Sequence, residues 1–409
     1  MRHPLVLSIL SAFLLVHSYA DAQTASNGLV NNTPGLLRFY DFSALQGDVS
    51  SVASTGSDQT PLQCSIPFTI VPGRDAGKTA VRIDDQALHA DPFPLDSQHF
   101  TAEIWFKLVA VGTQRGNGDS TSGTIMSIGI GYWDGWRVTL WYPDMRVGFE
   151  VGRPQPGSSF GINGVPFMDH VWNHVAATWD GKQTRLYLNG LLVGRGDYAG
   201  AYTPPPGQKV FRIGFADSGI GSAILDVDEV TVRSRALSPV EVLQEVYFAD
   251  VLPRTAQAAL AAAEDAVAAG DVPTALAGYR ALGNDKTLPA SWQPFVALRL
   301  GLLYQQGRQP AAAAREFARI ATAANMPETV MTTALTSLLK LSREGVPMQL
   351  PPKLYAALLN MPGITPGDQF TVHLQLGHAL RRQGQAKEAE AEYARAFALQ
   401  VAPRTKLNA

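Results

Sequence analysis

The sequence predicts two modules, an all-β antiparallel sandwich or jelly roll over residues 35–250 and an all-α helical repeat over residues 255–402. Three observations lead to this fold class. Short apolar runs separated by Gly, Pro, Asn and Asp fill the first part of the chain. Alanine-rich segments with helical periodicity begin near residue 255. Small and aromatic residues then recur at matching distances from glycines.

Composition limits the class of protein. The chain has 409 residues, enough for two or three domains of roughly 150 residues each. Its 33 Lys and Arg against 35 Asp and Glu give a net charge of −2, which argues against nucleic-acid binding because such proteins need a basic face. The single cysteine, Cys64, excludes an internal disulfide and a Cys-rich zinc site.

The N-terminus has the pattern of a secretory signal peptide over residues 1–22. A basic start at Arg2 precedes an apolar stretch from Leu5 to Val16, and Ala20-Asp21-Ala22 offers a cleavage site. The apolar stretch is short for a membrane span, and no later segment is long and apolar enough for one. We therefore expect an exported protein: secreted, periplasmic or on the cell surface.

Strands account for the chain as far as about Val232. Residues 36–42 form one run, and residues 101–108 alternate so that one face carries Ala102, Ile104, Phe106 and Leu108. Asp180-Gly181 and Asn189-Gly190 separate further runs and predict hairpin turns. Tryptophans stand in several of these runs, and we expect their rings to fill the layer between two sheets: Trp105, Trp172 and Trp179.

Helices follow. Ser238-Pro239-Val240-Glu241 predicts a helix start with a capping box, because the serine and the glutamate three residues later can exchange hydrogen bonds. The boundary between the modules is expected between Asp250 and Arg254, and helical periodicity continues from Thr255 to about Ala398.

The helical part contains a repeat. Ala263 lies seven residues before Gly270 and Tyr279 nine after it, and Gly377 and Tyr393 have the same spacing around Gly384. A third copy, one residue shorter, contains Gly301, Tyr304, Gly307, Ala313 and Phe317. These spacings resemble a degenerate tetratricopeptide array of three to four units. Such arrays bind peptides or partner proteins on a concave surface, so the resemblance implies a protein partner. A plain helical bundle is the alternative.

The β-rich part resembles the laminin-G-like, concanavalin-A-like jelly rolls of bacterial secreted proteins. The resemblance covers residues 35–248 and rests on the order of these segments: 40–42, 100–107, 172–190, 211–214, 225–230 and 235–238. It implies two curved antiparallel sheets and a role in binding glycans or proteins rather than in catalysis.

The resemblance also implies a structural calcium ion. Strand alternation places Asp226 and Asp228 on one face and Glu229 on the other, and Asp41 from an early strand would join them when the fold closes. We therefore take Asp41, Asp226 and Asp228 as candidate metal ligands. Hydrogen bonding to loop backbone, or pairing with Arg233 or Arg235, is the alternative.

The same segment tests an enzymatic function. Jelly-roll glucanases carry catalytic carboxylates alternating along one strand, and a retaining pair needs a separation of about 5 Å. Here the corresponding face carries Ile224, Asp226, Asp228 and Val230, which leaves no nucleophile and acid at that spacing. This departure argues against the glucanase mechanism, although a carboxylate pair drawn from separate strands stays open.

Five aromatic residues are candidate ligand contacts because sugar rings stack on aromatic faces: Tyr132, Trp133, Trp136, Trp141 and Tyr142. The first three lie in or next to a glycine-flanked segment, and the last two flank a turn. Packing against loop edges is an equally consistent interpretation. The sequence thus predicts an exported, non-enzymatic binding protein whose jelly roll recognises a glycan or surface protein. A carbohydrate-active hydrolase and a structural scaffold of an envelope complex are the alternatives.

Overall fold

The structure is a computed structural model. It describes residues 34–84, 88–91, 99–111, 122–129, 135–141, 145–152, 159–167, 169–197, 210–214, 223–247, 252–323, 326, 328–361 and 364–401. The chain divides into two compact units, with the division between Val251 and Leu252. No helix within the described residues is both long and apolar enough to cross a membrane.

The first unit is a sandwich of two antiparallel sheets, each with eight strands among the described residues. Sheet A has the order β14-β13-β12-β7-β16-β5-β4, and β1 also pairs with β16. Its strands are β1 (Leu36–Asp41), β4 (Thr69–Pro72), β5 (Thr79–Ile83), β7 (Phe100–Val111), β12 (Asn173–Trp179), β13 (Gln183–Leu188), β14 (Leu191–Asp197) and β16 (Ala223–Arg233).

Sheet B has the order β11-β10-β9-β8-β15-β6-β3-β2. Its strands are β2 (Ser51–Val52), β3 (Leu62–Gln63), β6 (Leu88–Ala90), β8 (Ser122–Ile128), β9 (Trp136–Trp141), β10 (Arg146–Gly152), β11 (Ser159–Pro166) and β15 (Phe211–Ile213). The predicted fold class, an antiparallel β-sandwich followed by helices, is confirmed.

The hydrophobic core of this unit contains one face of each sheet. The predicted face of β7 lies in it, with Ala102, Ile104, Phe106 and Leu108 all buried. Trp179 is also in the core, as expected. Trp105 instead lies on the outer face of sheet A, because strand alternation turns it away from Ile104 and Phe106, and Trp172 is half-buried beside Lys107.

Both predicted hairpin turns are present. Gly181 has φ of 83° between β12 and β13, while Asn189 and Gly190 have φ of 50° and 75° between β13 and β14. These left-handed conformations favour Asn and Gly, and they set the tight reversal of the chain.

One helix, α1 (Pro239–Tyr247), ends the first unit. The Ser238 backbone N–H donates to Glu241 Oε2 at 2.8 Å, and the Glu241 backbone N–H donates to Ser238 Oγ at 3.3 Å, which is the predicted capping box. Val242 and Leu243 are fully buried, so this helix packs against the sandwich through an apolar face.

The second unit contains eight α-helices among the described residues. They are α2 (Arg254–Ala268), α3 (Val272–Asn284), α4 (Gln293–Gln306), α5 (Pro310–Thr322), α6 (Glu328–Arg343), α7 (Pro352–Leu359), α8 (Pro366–Arg382) and α9 (Ala386–Val401). Gly270 and Gly384, the predicted turn glycines, have φ of 74° and 78° between α2 and α3 and between α8 and α9.

Small residues allow close packing inside these helical hairpins. A Cβ atom added at Gly301 would overlap the Phe317 ring, and one added at Gly377 would overlap the Tyr393 ring. In both pairs the aromatic residue comes sixteen positions after the glycine. The predicted pairs of small and aromatic residues therefore mark equivalent contacts in two hairpins.

Candidate functional site

An acidic cluster forms where β1 meets β16 on sheet A. Asp41 ends β1 and is paired with Glu229 of β16. The register of β16 against β7 shifts between Val227 and Val230. Two residues of β16 lie between these positions, opposite a single residue of β7. This β-bulge brings Asp228 and Glu229 together beside Asp41, although regular alternation would have placed them on opposite faces.

The carboxylates of this cluster are close and largely buried. One oxygen from each of Asp41, Asp228 and Glu229 lies within 4.8 Å of the others. The Arg74 backbone N–H donates to Asp228 Oδ2 at 3.0 Å, and Arg74 Nη2 lies 3.4 Å from Glu229 Oε2. The Arg74 guanidinium also covers the Trp105 ring, 4.0 Å from its centroid. The Arg74 guanidinium thus lies next to the Glu229 carboxylate, and the Arg74 backbone holds Asp228.

Burial changes the acid strength of the cluster. Burial raises the pKa of Asp228 to about 6 and that of Glu229 to about 7, and the Arg74 charge opposes both shifts. The neighbouring carboxylates of Asp41 and Asp75 raise both pKa values further. The cluster therefore favours a proton or a cation near neutral pH.

Asp226 does not join this cluster. Its carboxylate is fully buried between two cations, with Arg82 Nε at 2.7 Å and Lys107 Nζ at 2.9 Å. At Asp226, β16 pairs with β5 and β7, whereas β1 ends opposite Glu229, so the metal-ligand set predicted from regular alternation needs correction. Glu229 occupies the position expected for Asp226. The consecutive acids Asp228 and Glu229 in an apolar strand were the available signal of a bulge.

The acidic cluster fits a calcium ion. Calcium binds oxygen at 2.3–2.6 Å, so its ligands lie up to about 5 Å apart, and the three carboxylates satisfy this condition. In addition, Asp228 Oδ1 is buried and makes no hydrogen bond within the described part of the chain. Asp41, Asp228 and Glu229 are thus the residues that would hold the ion.

The predicted aromatic contacts separate into three groups. Tyr132, Trp133 and Tyr142 lie outside the described residues. Trp136 is fully buried in the core, where its ring stacks on Phe100 with 5.2 Å between centroids. Because Trp136 points between the sheets, it cannot serve as a ligand platform, and its selection as a contact is corrected. The third group is Trp141, which is only half-buried.

Trp141 lies on the outer face of sheet B and is half-buried. Alternation along β9 turns Trp136, Val138 and Leu140 into the core and turns Arg137, Thr139 and Trp141 away from it. A Cβ atom added at Gly148, on the neighbouring strand β10, would overlap the Trp141 ring. The absence of a side chain at Gly148 thus lets this ring lie directly on the sheet.

Several polar side chains lie on the same outer face of sheet B as Trp141. Arg137 and Glu150 are opposite each other on β9 and β10 and form a buried ion pair. The hydroxyl groups of Thr124, Ser127 and Thr139 are buried and make no hydrogen bond to any described residue. We call this set the Trp141 face: Thr124, Ser127, Arg137, Thr139, Trp141 and Glu150.

Sequence reasoning selected Trp141 as a candidate contact but did not name the polar residues on the same face. The alternation of residues 136–141 already placed Arg137 and Thr139 beside it. The partners Glu150, Thr124 and Ser127 come from other strands, so only the strand pairing identifies them.

Comparisons with known proteins bear on the first unit. No curated protein sequence matches the chain. Solved structures that resemble it include the binding domain of Paraclostridial Mosquitocidal Protein 1 (14% identity, 51% of each chain, TM-score 0.39). Another is the botulinum neurotoxin serotype G binding domain (13% identity, 51% of this chain and 50% of that one, TM-score 0.38). The chain spans about half the length of these two proteins.

A further resemblance is to domain 4 of AbnA, a GH43 extracellular arabinanase from Geobacillus stearothermophilus, in complex with arabinotriose. It has 14% identity and a TM-score of 0.37, and the match covers 52% of this chain and 98% of that one. In sequence, residues 75–243 match the model of the concanavalin A-like lectin/glucanases superfamily, in agreement with the jelly roll predicted from the sequence.

Proposed function

We propose that this protein is an exported, non-enzymatic binding protein whose jelly roll recognises a glycan at the Trp141 face. One observation carries the proposal. The Trp141 ring is half-buried on a sheet face that also carries a buried ion pair and three buried hydroxyl groups without a hydrogen-bond partner among the described residues. Glycan sites combine an aromatic surface with a few fixed polar groups, and this face supplies both.

Each part of the Trp141 face has a role in sugar recognition. The apolar face of a pyranose ring packs on an indole ring. Arg137 and Glu150 are buried, so their ion pair would fix this face of the sheet rather than contact the sugar directly. The hydroxyl groups of Thr124 and Thr139, which are opposite each other, both donate and accept.

A glycan array on the full chain tests this function. We expect selective binding, and we expect Trp141→Ala to weaken the best interaction at least tenfold. Trp172→Ala is the matched control, because Trp172 is also half-buried but contacts Lys107 instead. Gly148→Ala, which displaces the ring, should weaken binding as Trp141→Ala does, whereas Trp141→Phe should retain part of it. Blank arrays, or equal loss in the Trp172 control, would contradict the proposal.

A calcium ion at Asp41, Asp228 and Glu229 is part of the proposed function. When bound, the ion would neutralise carboxylates that otherwise repel one another and would cross-link the end of β1 to the bulge of β16. This role is structural, because the cluster belongs to sheet A and the Trp141 face to sheet B.

The helical unit is proposed to hold a protein partner in the manner of a tetratricopeptide array. The equal spacing of the Gly301–Phe317 and Gly377–Tyr393 contacts supports this. Co-purification from the native source, with the full chain and with residues 1–251 alone, tests it. A partner retained equally by both proteins would contradict docking at the helices.

Glycoside hydrolysis is the second candidate function. The observation that favours it is the pair of buried carboxyls with raised pKa values, Asp228 and Glu229, because a general acid must stay protonated near neutral pH. Reducing-sugar release that disappears in both Asp228→Asn and Glu229→Gln would establish it. Binding of a glycan with no release of product would eliminate it.

A further inference from the structure

A second cluster of buried charges lies beneath α1, on the outer face of sheet A. Arg233 of β16 is fully buried, and it faces two carboxylates. Its Nη2 atom lies 2.7 Å from Glu245 Oε2 of α1, and its Nε atom lies 3.6 Å from Glu103 Oε2 of β7. Both glutamate side chains are less than one-tenth exposed. One guanidinium therefore has two carboxyl partners from different elements.

The other charged and titratable groups near Glu103 do not supply a second cation at close range. His174 of β12 has its Nε2 atom 3.7 Å from Glu103 Oε1, but burial and the charges of Arg74 and Arg233 lower the pKa of His174 to about 3, so the ring is neutral. Arg235 acts on Glu103 only through its charge and is paired with Glu241. Tyr187 of β13 lies in the same cross-strand row, beyond Ala176.

Charge balance at this site requires one proton. Two ionised carboxylates against Arg233 would leave a net negative charge in a buried site, which costs several kcal/mol. Burial and the neighbouring Glu245 charge raise the pKa of Glu103 well above its ordinary value, and Arg233 only partly opposes this. The burial of both carboxylates beside one guanidinium and the raised pKa of Glu103 thus agree that Glu103 retains a proton.

We propose that a proton retained by Glu103 holds α1 on sheet A, and that α1 is released from the sheet as the pH rises. The helix is the element that moves because hydrogen-bonded ladders on both sides hold β7 and β16 in the sheet. The cluster is thus a proton-dependent latch.

The latch involves only α1 and sheet A of the first unit, and it does not depend on the proposed glycan ligand.

Hydrogen exchange of the full chain tests the latch, followed at the α1 backbone amides between pH 5.5 and 8.5. After correction for the intrinsic exchange rate, we expect the opening equilibrium of α1 to rise by up to about tenfold per pH unit. Glu103→Gln and Glu245→Gln each leave Arg233 with a single carboxylate, so both should remove this pH dependence. Either variant alone suffices if the other fails to fold.

Ser238→Ala is the matched control, because Ser238 caps the same helix without carrying a charge. It should weaken protection of α1 at every pH without changing the dependence on pH. The proposal is overturned if the wild-type opening equilibrium does not change with pH, or if Glu103→Gln and Glu245→Gln both keep the wild-type dependence.

Discussion

Charged residues in this protein are buried mainly as pairs and triads whose partners are distant in sequence. In the helical unit, Glu264 accepts a hydrogen bond from Arg299 Nε at 2.7 Å and another from the Tyr279 hydroxyl. All three are buried, so each group depends on the others. The sequence shows the three residue types but not their contact, because the helices that carry them must first pack together.

Asp368 provides a prediction at the scale of one residue. It completes a capping box with Thr365 and receives a hydrogen bond from Arg343 Nη2 at 2.7 Å. The hydrogen bond from Arg343 holds the pKa of Asp368 at about 2, below its ordinary value of 3.8. We expect Asp368→Asn to lower the free energy of unfolding of the helical unit by about 1 kcal/mol at pH 7.

The pH dependence of that effect has a defined sign. A depressed carboxyl pKa stabilises the fold fully above pH 3.8, and this stabilisation is lost as the pH falls through 2. The difference between wild type and Asp368→Asn should therefore shrink between pH 4 and pH 2 in urea titrations followed by circular dichroism at 222 nm. Asp271→Asn, at another helix N-cap, should have no effect, because Asn caps as well as Asp does.

At the scale of elements, local patterns predicted the strands and helices, and one irregularity changed the candidate metal site. The alternation of β16 predicted a strand and was correct, but the bulge at Asp228 and Glu229 altered which side chains meet. A bulge depends on the register against β7 and β1, which are far away in the sequence. The same limit explains why the sequence pattern placed Arg137 and Thr139 on the face of Trp141 but did not identify Glu150.

Packing between helices yields the second prediction. In α8, Gly377 lies against the Tyr393 ring of α9, so Gly377→Ala should force these helices apart and cost about 1–3 kcal/mol. Gly367→Ala is a matched control in the same helix, because the nearest atom to an added Cβ is 3.8 Å away. This control should be neutral or stabilising, since Ala favours helix over Gly. Equal destabilisation by both substitutions in urea titrations would refute the packing role of Gly377.

At the scale of the whole molecule, the two units have separate cores, so each should respond separately to ligands. We expect calorimetry of the full chain to show a calcium-dependent transition for the jelly roll and a calcium-independent one for the helical unit. Calcium at a hundred times its dissociation constant should stabilise the jelly roll by about 2.7 kcal/mol. Asp41→Asn should reduce this shift. A shift of both transitions, or of neither, would contradict a site at Asp41, Asp228 and Glu229.

The sequence by itself determined the two modules, the alternation of the strands, the hairpin turns, the capped start of α1 and the turn glycines of the helical hairpins. All of these depend on residues that are neighbours in the chain, where periodicity and backbone preference act directly. Only the tertiary structure decided that Glu229 replaces Asp226 beside Asp41, that Trp136 is buried, and that Glu103, Arg233 and Glu245 share one buried site. Those outcomes depend on strand register and helix packing, because these bring distant residues together.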